Sequence, residues 1–314
     1  MVRCVVDVKY AGGHTSEKAK RRETARAAML AWCLRQLGWW VGIRGAFPDV
    51  FGDYRWGFYW DLTRNDVRRP DVCIDATSRP TMRRGAADAA VSVAFRTTVN
   101  VARDREFLKH YDLLVAHEHA PELGREPGLM PVPFPVGEPV LETLEMHGLL
   151  YSYLTDDLDQ IRHHVCRNLR AGIGFIGCGH YGRREAVAAF PGVLSEVAFC
   201  DDRKDRTAGV TYMRKMGGWE AGLHLAGDTP WANRFSELVL LGTAVIMLPN
   251  PVRIEPAVDQ DNVILMRDWS DVAALEAGLE NRPWIVEQAD RCYCVGWSPM
   301  AQARSLKSRV EAML

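Results

Sequence analysis

Residues Gly222–Pro249 read GLHLAGDTPWANRFSELVLLGTAVIMLP, and this stretch decides the predicted fold. It opens with a short apolar run, Leu223–Ala226, that leads into a turn. Over Trp231–Leu241 apolar residues recur at helical spacing, which predicts an amphipathic helix that Gly242 ends. The apolar and β-branched segment Thr243–Leu248 is typical of a buried strand in a parallel sheet. The sequence therefore predicts a β-loop-α-β unit.

Polar side chains at the start of this helix predict an anion site. In an open α/β sheet, ligands bind outside the carboxyl ends of the strands, which is where the following helix begins. The free N–H groups and the dipole of the helix favour a phosphate there. Asp228, Thr229, Asn233 and Arg234 supply the polar groups. Glu237 lies one turn further on, where a carboxylate can accept both hydroxyl groups of a ribose.

The stretch resembles the donor-site signature of GT-B glycosyltransferases, in particular that of exostosin-like and capsule-type enzymes. Their pattern is a strand, a Gly-Asp/Asn turn, a helix start with Asn or a small residue before Arg-x-x-Glu, and a small-Gly-x-x-x-Val-Ile strand. The matching residues are Gly227, Asp228, Asn233, Arg234, Glu237, Gly242, Val245 and Ile246. The resemblance covers at most the second half of the chain. It implies an α/β protein with two Rossmann-like domains that face a cleft, and a C-terminal helix that crosses back to the N-terminal domain.

A nucleotide-sugar transferase must neutralise a leaving diphosphate, and the resemblance implies that Arg side chains and helix N-termini do this without a bound metal. The glycine-rich segment at 172–184, GIGFIGCGHYGRR, supplies Arg183 and Arg184, and Arg234 is the third candidate. An Arg guanidinium suits a diphosphate because its planar fork binds two oxygens at once. The alternative role of these arginines is in surface salt bridges. We expect no essential metal and no other cofactor.

Length and composition indicate a soluble protein of about two domains. The chain has 314 residues, of which 47% are hydrophobic and 25% are charged. No apolar run approaches the roughly 18 residues that a membrane-spanning helix needs. The opening residues, MVRCVVDVKY, become polar too soon for a signal peptide. Most of the eight cysteines lie in apolar patterns, which favours reduced thiols and a cytoplasmic location.

The order of the predicted elements divides the chain into three parts. They are an N-terminal acceptor-binding domain, a C-terminal nucleotide-sugar-binding domain and a returning helix, at residues 1–145, 146–298 and 299–314. The first domain opens with a strand, a loop and the helix Glu17–Leu37, but it lacks the G-x-G-x-x-G of a dinucleotide site. Residues 136–171 are predicted as a linker and then a helix, Asp156–Arg170, that Thr155 caps.

Positive charge is concentrated in the first part of the chain. Residues 1–110 carry 20 Lys and Arg against 12 Asp and Glu, whereas the remainder carries 19 against 28. The candidate acceptor-binding residues are Lys18, Arg21, Arg22, Arg83 and Arg84. They predict a surface for a polyanion, of which DNA with a hydroxymethylated base is one example. A glycan or a small metabolite is the other acceptor considered, and solvated helix faces are the alternative explanation of the charge.

An inverting transferase also needs a base to deprotonate the acceptor hydroxyl. His14 is the first candidate, because it lies in the loop after the first strand and a neutral imidazole accepts a proton near pH 7. The Gly-Gly-His there also resembles the Gly-His loop of several inverting GT-B enzymes. Asp75 and Glu118, each at the end of a predicted strand, are the alternatives. His117 and His119 form an H-x-H pair, which is a weak metal signal on its own.

The sequence as a whole predicts a GT-B glycosyltransferase that moves a sugar from a nucleotide-diphosphate sugar to an acceptor hydroxyl. Two other functions fit the same fold: a non-catalytic protein that binds a nucleotide sugar or a nucleic acid, and a nucleotide-sugar epimerase. The binding protein would keep Arg234 and Glu237 but need no base. The epimerase would need carboxylates that face the sugar and no second substrate.

Overall fold

The structure is a computed structural model whose described part forms two compact units. The described residues are 1–10, 17–45, 62, 67–77, 89–96, 103–117, 119, 121–133, 135–166, 170–200, 209–226 and 231–314. One unit comprises Met1–Val132 and Pro299–Leu314, and the other comprises Pro133–Ser298. The predicted domain boundary at residue 145 lies inside the second unit.

The first unit is built on a six-stranded parallel sheet with the order β2-β1-β3-β4-β5-β6. Its strands are β1 (Arg3–Tyr10), β2 (Trp40–Arg44), β3 (Val72–Thr77), β4 (Val91–Arg96), β5 (Leu113–Ala116) and β6 (Leu129–Pro131). Helix α1 (Glu17–Gln36) follows β1, and α2 (Asp104–His110) precedes β5. Every residue of β3, β4 and β5 is buried, as expected for parallel strands that are covered on both faces.

The second unit is built on a five-stranded parallel sheet with the order β11-β10-β9-β7-β8. Its strands are β7 (Ile173–Gly177), β8 (Leu194–Phe199), β9 (Ala221–Leu223), β10 (Ala244–Met247) and β11 (Ile264–Leu265). Its helices are α3 (Glu138–Met146), α4 (Leu150–Leu154), α5 (Leu158–Val165), α6 (Arg183–Ala189), α7 (Gly209–Gly217), α8 (Asn233–Leu240), α9 (Val272–Glu280) and α10 (Arg282–Cys292).

The last helix, α11 (Pro299–Glu311), belongs to the first unit. The indole Nε1 of Trp39 donates to Glu311 Oε1 at 3.0 Å, and Arg309 Nη1 donates to the carbonyl of Leu129 at 2.9 Å. The predicted return of the C-terminal helix to the N-terminal part of the chain is therefore confirmed. No helix in the described ranges is both long and apolar enough to cross a membrane.

The stretch that decides the fold forms the predicted unit of β9, α8 and β10. Helix α8 begins at Asn233, two residues later than predicted, and ends at Leu240. Gly242 has a φ of +66°, the left-handed conformation that a glycine stop requires. Strand β10 pairs in parallel with β9, so that Val245 lies opposite Gly222. The helix therefore begins at the carboxyl edge of the sheet.

The predicted helix at 156–170 was wrong at both ends, since α5 spans only Leu158–Val165, and the predicted linker before it contains α3 and α4. Thr155 ends α4 instead, and its hydroxyl donates to the carbonyl of Tyr151 at 2.9 Å. Asp156 then adopts a left-handed φ of 64°, which separates α4 from α5. The true cap of α5 is Asp157, whose carboxylate accepts from the N–H of Gln160. The carboxylate two residues on takes the capping role that the hydroxyl was expected to fill.

Two arginines bind the carboxyl end of α8. Arg162 donates to the carbonyls of Val239 and Leu240 at 2.8 and 3.1 Å, and it makes a bidentate ion pair with Asp290 of α10. Arg170 donates to the carbonyls of Leu241 and Gly242. These carbonyls belong to the last residues of the helix and to the two residues that follow it, where the negative end of the helix dipole attracts the cations. The arginines therefore fix α8 at the end opposite to its polar start.

We expect Arg162→Met to destabilise the second unit by about 3 kcal/mol, because the carbonyls and the partly buried Asp290 lose their charged donor together. The Arg162 side chain is only 16% exposed, so water replaces it poorly. Urea unfolding of the purified variant measures the loss.

The matched control is Arg291→Met on α10, since Arg291 makes only an exposed pair with Glu287 one turn away. Such pairs contribute about 0.5 kcal/mol or less. Equal losses in the two variants would show that the carbonyl contacts of Arg162 do not stabilise α8.

Candidate functional site

A cavity of about 300 Å³ opens at the carboxyl edge of the second sheet. The loops that follow β7, β9 and β10 border it, and Trp269, which follows β11, closes one side. Tyr181, Arg183, His224 and Asn250 are among the polar or aromatic residues that line it. Its position fits the rule that ligands of open α/β sheets bind at the carboxyl ends of the strands.

Arg183 joins two of these loops. Its Nε donates to the carbonyl of Ala226 at 2.9 Å, and its Nη2 donates to the carbonyl of Leu225 at 3.2 Å. Its Nη1 donates to Cys178 Sγ at 2.8 Å. Three of its five N–H groups are thus used by contacts within the described part of the unit.

Arg184 lies apart from the cavity, although it is adjacent in sequence. Its guanidinium stacks over the ring of Phe199 at 4.3 Å, on the β8 side of the sheet. It also lies so close to Gly179 that a Cβ there would be 2.4 Å from Arg184 Nε. Of the two arginines predicted at the glycine-rich loop, Arg183 alone lines the cavity.

The start of α8 carries a hydrogen-bonded network centred on Glu237, whose side chain is 5% exposed. Oε1 accepts from the backbone N–H of Gly137 at 2.9 Å. Oε2 accepts from the hydroxyl of Tyr212 at 2.6 Å and from Arg234 Nε at 3.2 Å. A carboxylate offers about four acceptor positions, so capacity for a further donor remains.

Arg234 connects this network to the sheet. Its Nη1 donates to the carbonyl of Ile176 near the end of β7, and its Nε also donates to the Tyr212 hydroxyl at 3.1 Å. Burial raises the pKa of Tyr212 far above its usual range, so the phenol stays protonated and can donate to Glu237. Asn233, the first residue of α8, is half-buried beside them.

Sequence reasoning missed several residues at this edge. Gly137 and Tyr212 lie 100 and 25 residues before Glu237, and no local pattern connects them to it. A Cβ at position 137 would be 2.8 Å from Glu237 Oε1, so the contact requires a glycine or a shift of the carboxylate. Tyr181 is 60% exposed and has a positive φ of 62°, which is uncommon for a residue other than glycine.

His224 was also missed. It is buried between loops at the cavity wall, where its ring stacks on Trp231 with centroids 6.0 Å apart. Its ring also meets that of Phe235 edge-on at 5.8 Å. Trp269 packs edge-on against Phe190. These aromatic contacts hold the cavity wall, and only the tertiary fold brings the rings together.

In the first unit, Asp75 is buried within β3 rather than exposed at the edge of the sheet. Its Oδ2 accepts from the hydroxyl of Tyr111 at 3.0 Å, and its Oδ1 accepts from the thiol of Cys73. Burial raises the pKa of Asp75, and the hydrogen bond from Tyr111 opposes that rise only in part. The other base candidates, His14 and Glu118, lie outside the described residues.

Several further predicted site residues cannot be placed. Asp228, Thr229, Arg83 and Arg84 lie outside the described residues. Lys18, Arg21 and Arg22 lie on α1, where the backbone alone is described. Their roles stay predictions.

The carboxyl edge of the first sheet contains buried polar residues of its own. Arg96, the last residue of β4, pairs with Asp104 of α2 at 2.8 Å, and both side chains are 1% exposed. His117 and His119 follow β5 and are buried. Within the described ranges, no three His, Cys, Asp or Glu side chains lie close enough to hold a metal ion.

Comparison with known proteins identifies the fold. No family model matches the sequence, and no curated protein matches it. The structure is similar to that of HepE from Anabaena in complex with UDP, with a TM-score of 0.53, 12% identity, and coverage of 98% of this chain and 100% of HepE.

A second HepE structure, in complex with UDP and glucose, gives a TM-score of 0.50 at 11% identity and the same coverage. AviGT4, a glycosyltransferase involved in avilamycin A biosynthesis, gives a TM-score of 0.50 at 13% identity, with coverage of 100% of this chain and 98% of AviGT4. At these identities the similarity establishes the fold, which is the α/β GT-B fold with its two parallel sheets.

The raised pKa of Asp75 predicts how stability depends on pH. A folded-state pKa above the ordinary value of 3.8 means that the folded protein binds this proton more tightly than the unfolded chain does. The stabilising contribution is complete below that value and is lost as the pH rises through the folded-state pKa. We therefore expect Asp75→Asn, which stays neutral, to gain stability relative to the unsubstituted protein as the pH rises above the ordinary Asp value of 3.8, as measured by urea unfolding.

Asp71→Asn is the control with the opposite sign. Hydrogen bonds from Arg3 lower the pKa of Asp71, so its contribution is present above its ordinary value and is lost as the pH falls. A pH-independent difference between Asp75→Asn and the unsubstituted protein would contradict the assignment for Asp75.

Proposed function

We propose that this protein is a glycosyltransferase that moves a sugar from a nucleotide-diphosphate sugar to an acceptor hydroxyl. The observation that carries the proposal is the Arg234–Glu237 network at the start of α8, at the same carboxyl edge of the sheet onto which the cavity opens. A fold similar to that of HepE, which was solved with UDP, supports it.

In this proposal the donor lies across the carboxyl edge of the second sheet. Arg183, Arg234 and the free N–H groups at the start of α8 neutralise the diphosphate, with Asn233, Asp228 and Thr229 as further polar contacts. Arg184 is a weaker candidate for binding the diphosphate, since its guanidinium stacks on Phe199. Glu237 accepts the ribose hydroxyls through the acceptor positions that its internal partners leave open.

The cavity suits the nucleoside part of such a donor. Its volume of about 300 Å³ is at the lower limit for ligand pockets, so it holds a part of the nucleotide sugar rather than the whole. Tyr181 and Trp269 offer aromatic surface for a base, and Asn250 offers an amide for its polar edge.

Transfer also needs an acceptor site and, for inversion, a base. We propose His14, with Asp75 and Glu118 as alternatives, as the group that takes the acceptor proton. The buried Asp75 needs a rearrangement to reach a substrate, which favours the other two. The diphosphate leaves without an essential metal, because arginines supply the positive charge. The basic residues Lys18, Arg21, Arg22, Arg83 and Arg84 bind the acceptor, whether it is a glycan, a metabolite or DNA with a hydroxymethylated base.

A thermal-shift panel of UDP-, GDP- and dTDP-sugars, each with Mg²⁺ and with EDTA, tests donor binding. We expect one nucleotide family to raise the melting temperature in EDTA, since a ligand at about 100 times its Kd stabilises the native state by roughly 2.7 kcal/mol. Glu237→Gln keeps the shape of the side chain but removes the charge, and we expect it to weaken binding by about tenfold or more.

Glu185→Gln is the matched control, because Glu185 is an exposed residue in the first turn of α6. Stabilisation by no nucleotide sugar, or equal binding by Glu237→Gln and Glu185→Gln, would overturn the donor site. If a nucleotide sugar binds but no sugar is transferred to glycans or to hydroxymethylated DNA, the protein is a binding protein instead. In that case His14→Ala and Glu118→Gln leave nucleotide-sugar binding unchanged.

A further inference from the structure

The second unit has another cavity, of about 430 Å³, at the opposite edge of its sheet. Residues 260–265 form one wall, and the end of α9 and the start of α10 form the other. Because β11 is parallel to β10, the segment before β11 lies at the amino edge. The cavity is therefore separate from the candidate donor site at the carboxyl edge. A role for this cavity does not depend on the proposed function.

The walls of this cavity combine an apolar floor with an exposed aromatic ring. Val263 and Ile264 are fully buried beneath it. Gly278 of α9 allows the helix to approach β11 closely, since a Cβ there would be 2.6 Å from Ile264 Cγ2. Trp284 of α10 is 52% exposed beside the floor. A large indole left half in water at the wall of a cavity is a flat apolar surface for a ligand.

Three polar side chains share the cavity with Trp284: Gln260, Asp261 and Asn281. All three residues are exposed, and in the described part of the chain their side chains make no hydrogen bond. Two amides and a carboxylate together offer both donors and acceptors. These groups are therefore available for a ligand that is rich in hydroxyl groups.

The charge of the cavity restricts the class of ligand. Among the described residues, its lining contains no Lys or Arg, and Asp261 is its one carboxylate. A nucleotide could stack on Trp284, but its phosphates would find no cation here and would be repelled by Asp261. A neutral sugar has an apolar C–H face for the indole and hydroxyl groups for the amides and the carboxylate.

We propose that this cavity is a binding site for a neutral saccharide, with Trp284 as its stacking surface and Gln260, Asp261 and Asn281 as its hydrogen-bonding groups. The site holds a sugar chain at the amino edge of the sheet, opposite the carboxyl-edge cavity. It takes no part in bond formation.

Saturation-transfer NMR with maltotriose and N-acetylchitotriose, in the absence of any nucleotide, tests the proposal. We expect one of these neutral probes to receive saturation with a Kd of about 1 mM, and a glucuronic acid oligomer to receive none. Trp284→Ala weakens binding by about tenfold or more. The matched control, Trp40→Ala, removes an indole of similar exposure, 46%, from the first unit and leaves binding unchanged.

Asn281→Ala is a second variant, which keeps the proposal testable if Trp284→Ala folds poorly. It removes a side chain that makes no hydrogen bond in the described part of the chain, and we expect it to weaken saccharide binding several-fold. Transfer to none of the neutral probes at about 10 mM, equal loss in Trp284→Ala and Trp40→Ala, or displacement of the saccharide by UDP would each overturn the proposal. Retention of saccharide binding in Glu237→Gln separates this site from the donor site, so that either one can fail alone.

Discussion

The placement of α8 depends on the contacts at its two ends. At the carboxyl end, Arg162 and Arg170 bind the last carbonyls, and Arg162 extends this contact to Asp290 of α10. At the amino end, Arg234 and Glu237 are tied to β7, α7 and the segment before α3. A helix fixed in this way presents its free N–H groups and the positive end of its dipole at one defined place on the sheet edge.

The same contacts hold the charged side chains at the edge of the sheet in place. Tyr212 stays protonated because of its burial, so Glu237 accepts a hydrogen bond from it while remaining next to Arg234. Arg183 connects the loop after β7 to the loop after β9, because it donates hydrogen bonds to the carbonyls that follow β9. In both arginines the contacts to described residues use only some of the five guanidinium donors. Preorganised charge of this kind costs little to align when a diphosphate binds.

The local parts of this arrangement could be predicted from the sequence. Helical spacing, the glycine stop and the β-branched run were sufficient for α8 and β10, because each depends on neighbouring residues. Strand β9 ends at Leu223, where the predicted apolar run Leu223–Ala226 only begins. The glycine-rich segment likewise placed Arg183 after β7, where it lines the cavity, although the stacking of Arg184 on Phe199 depends on packing with β8. The start of α5 was misplaced because Thr155 and Asp157 are both capping residue types two positions apart, and the carboxylate of Asp157 takes the cap.

The partners of Glu237 could not be predicted, since Gly137 and Tyr212 come from distant segments that only the tertiary fold brings together. The carbonyl contacts of Arg162 and Arg170 are similarly distant in sequence. The position of Asp75 near the end of a strand predicts that it lies at the carboxyl edge of the sheet, but its side chain packs into the core beside Tyr111. Burial, which no local pattern records, decides whether such a carboxylate can meet a substrate.

The central claim is that the carboxyl edge of the second sheet binds the nucleotide of a nucleotide-diphosphate sugar. A crystal structure of the protein grown with UDP tests it most directly. We predict a diphosphate within hydrogen-bonding distance of Arg183 or Arg234 and the first N–H groups of α8, with the ribose hydroxyls on Glu237. A nucleotide bound elsewhere on the protein, with Glu237 contacting only Gly137, Tyr212 and Arg234 as it does now, would contradict the account.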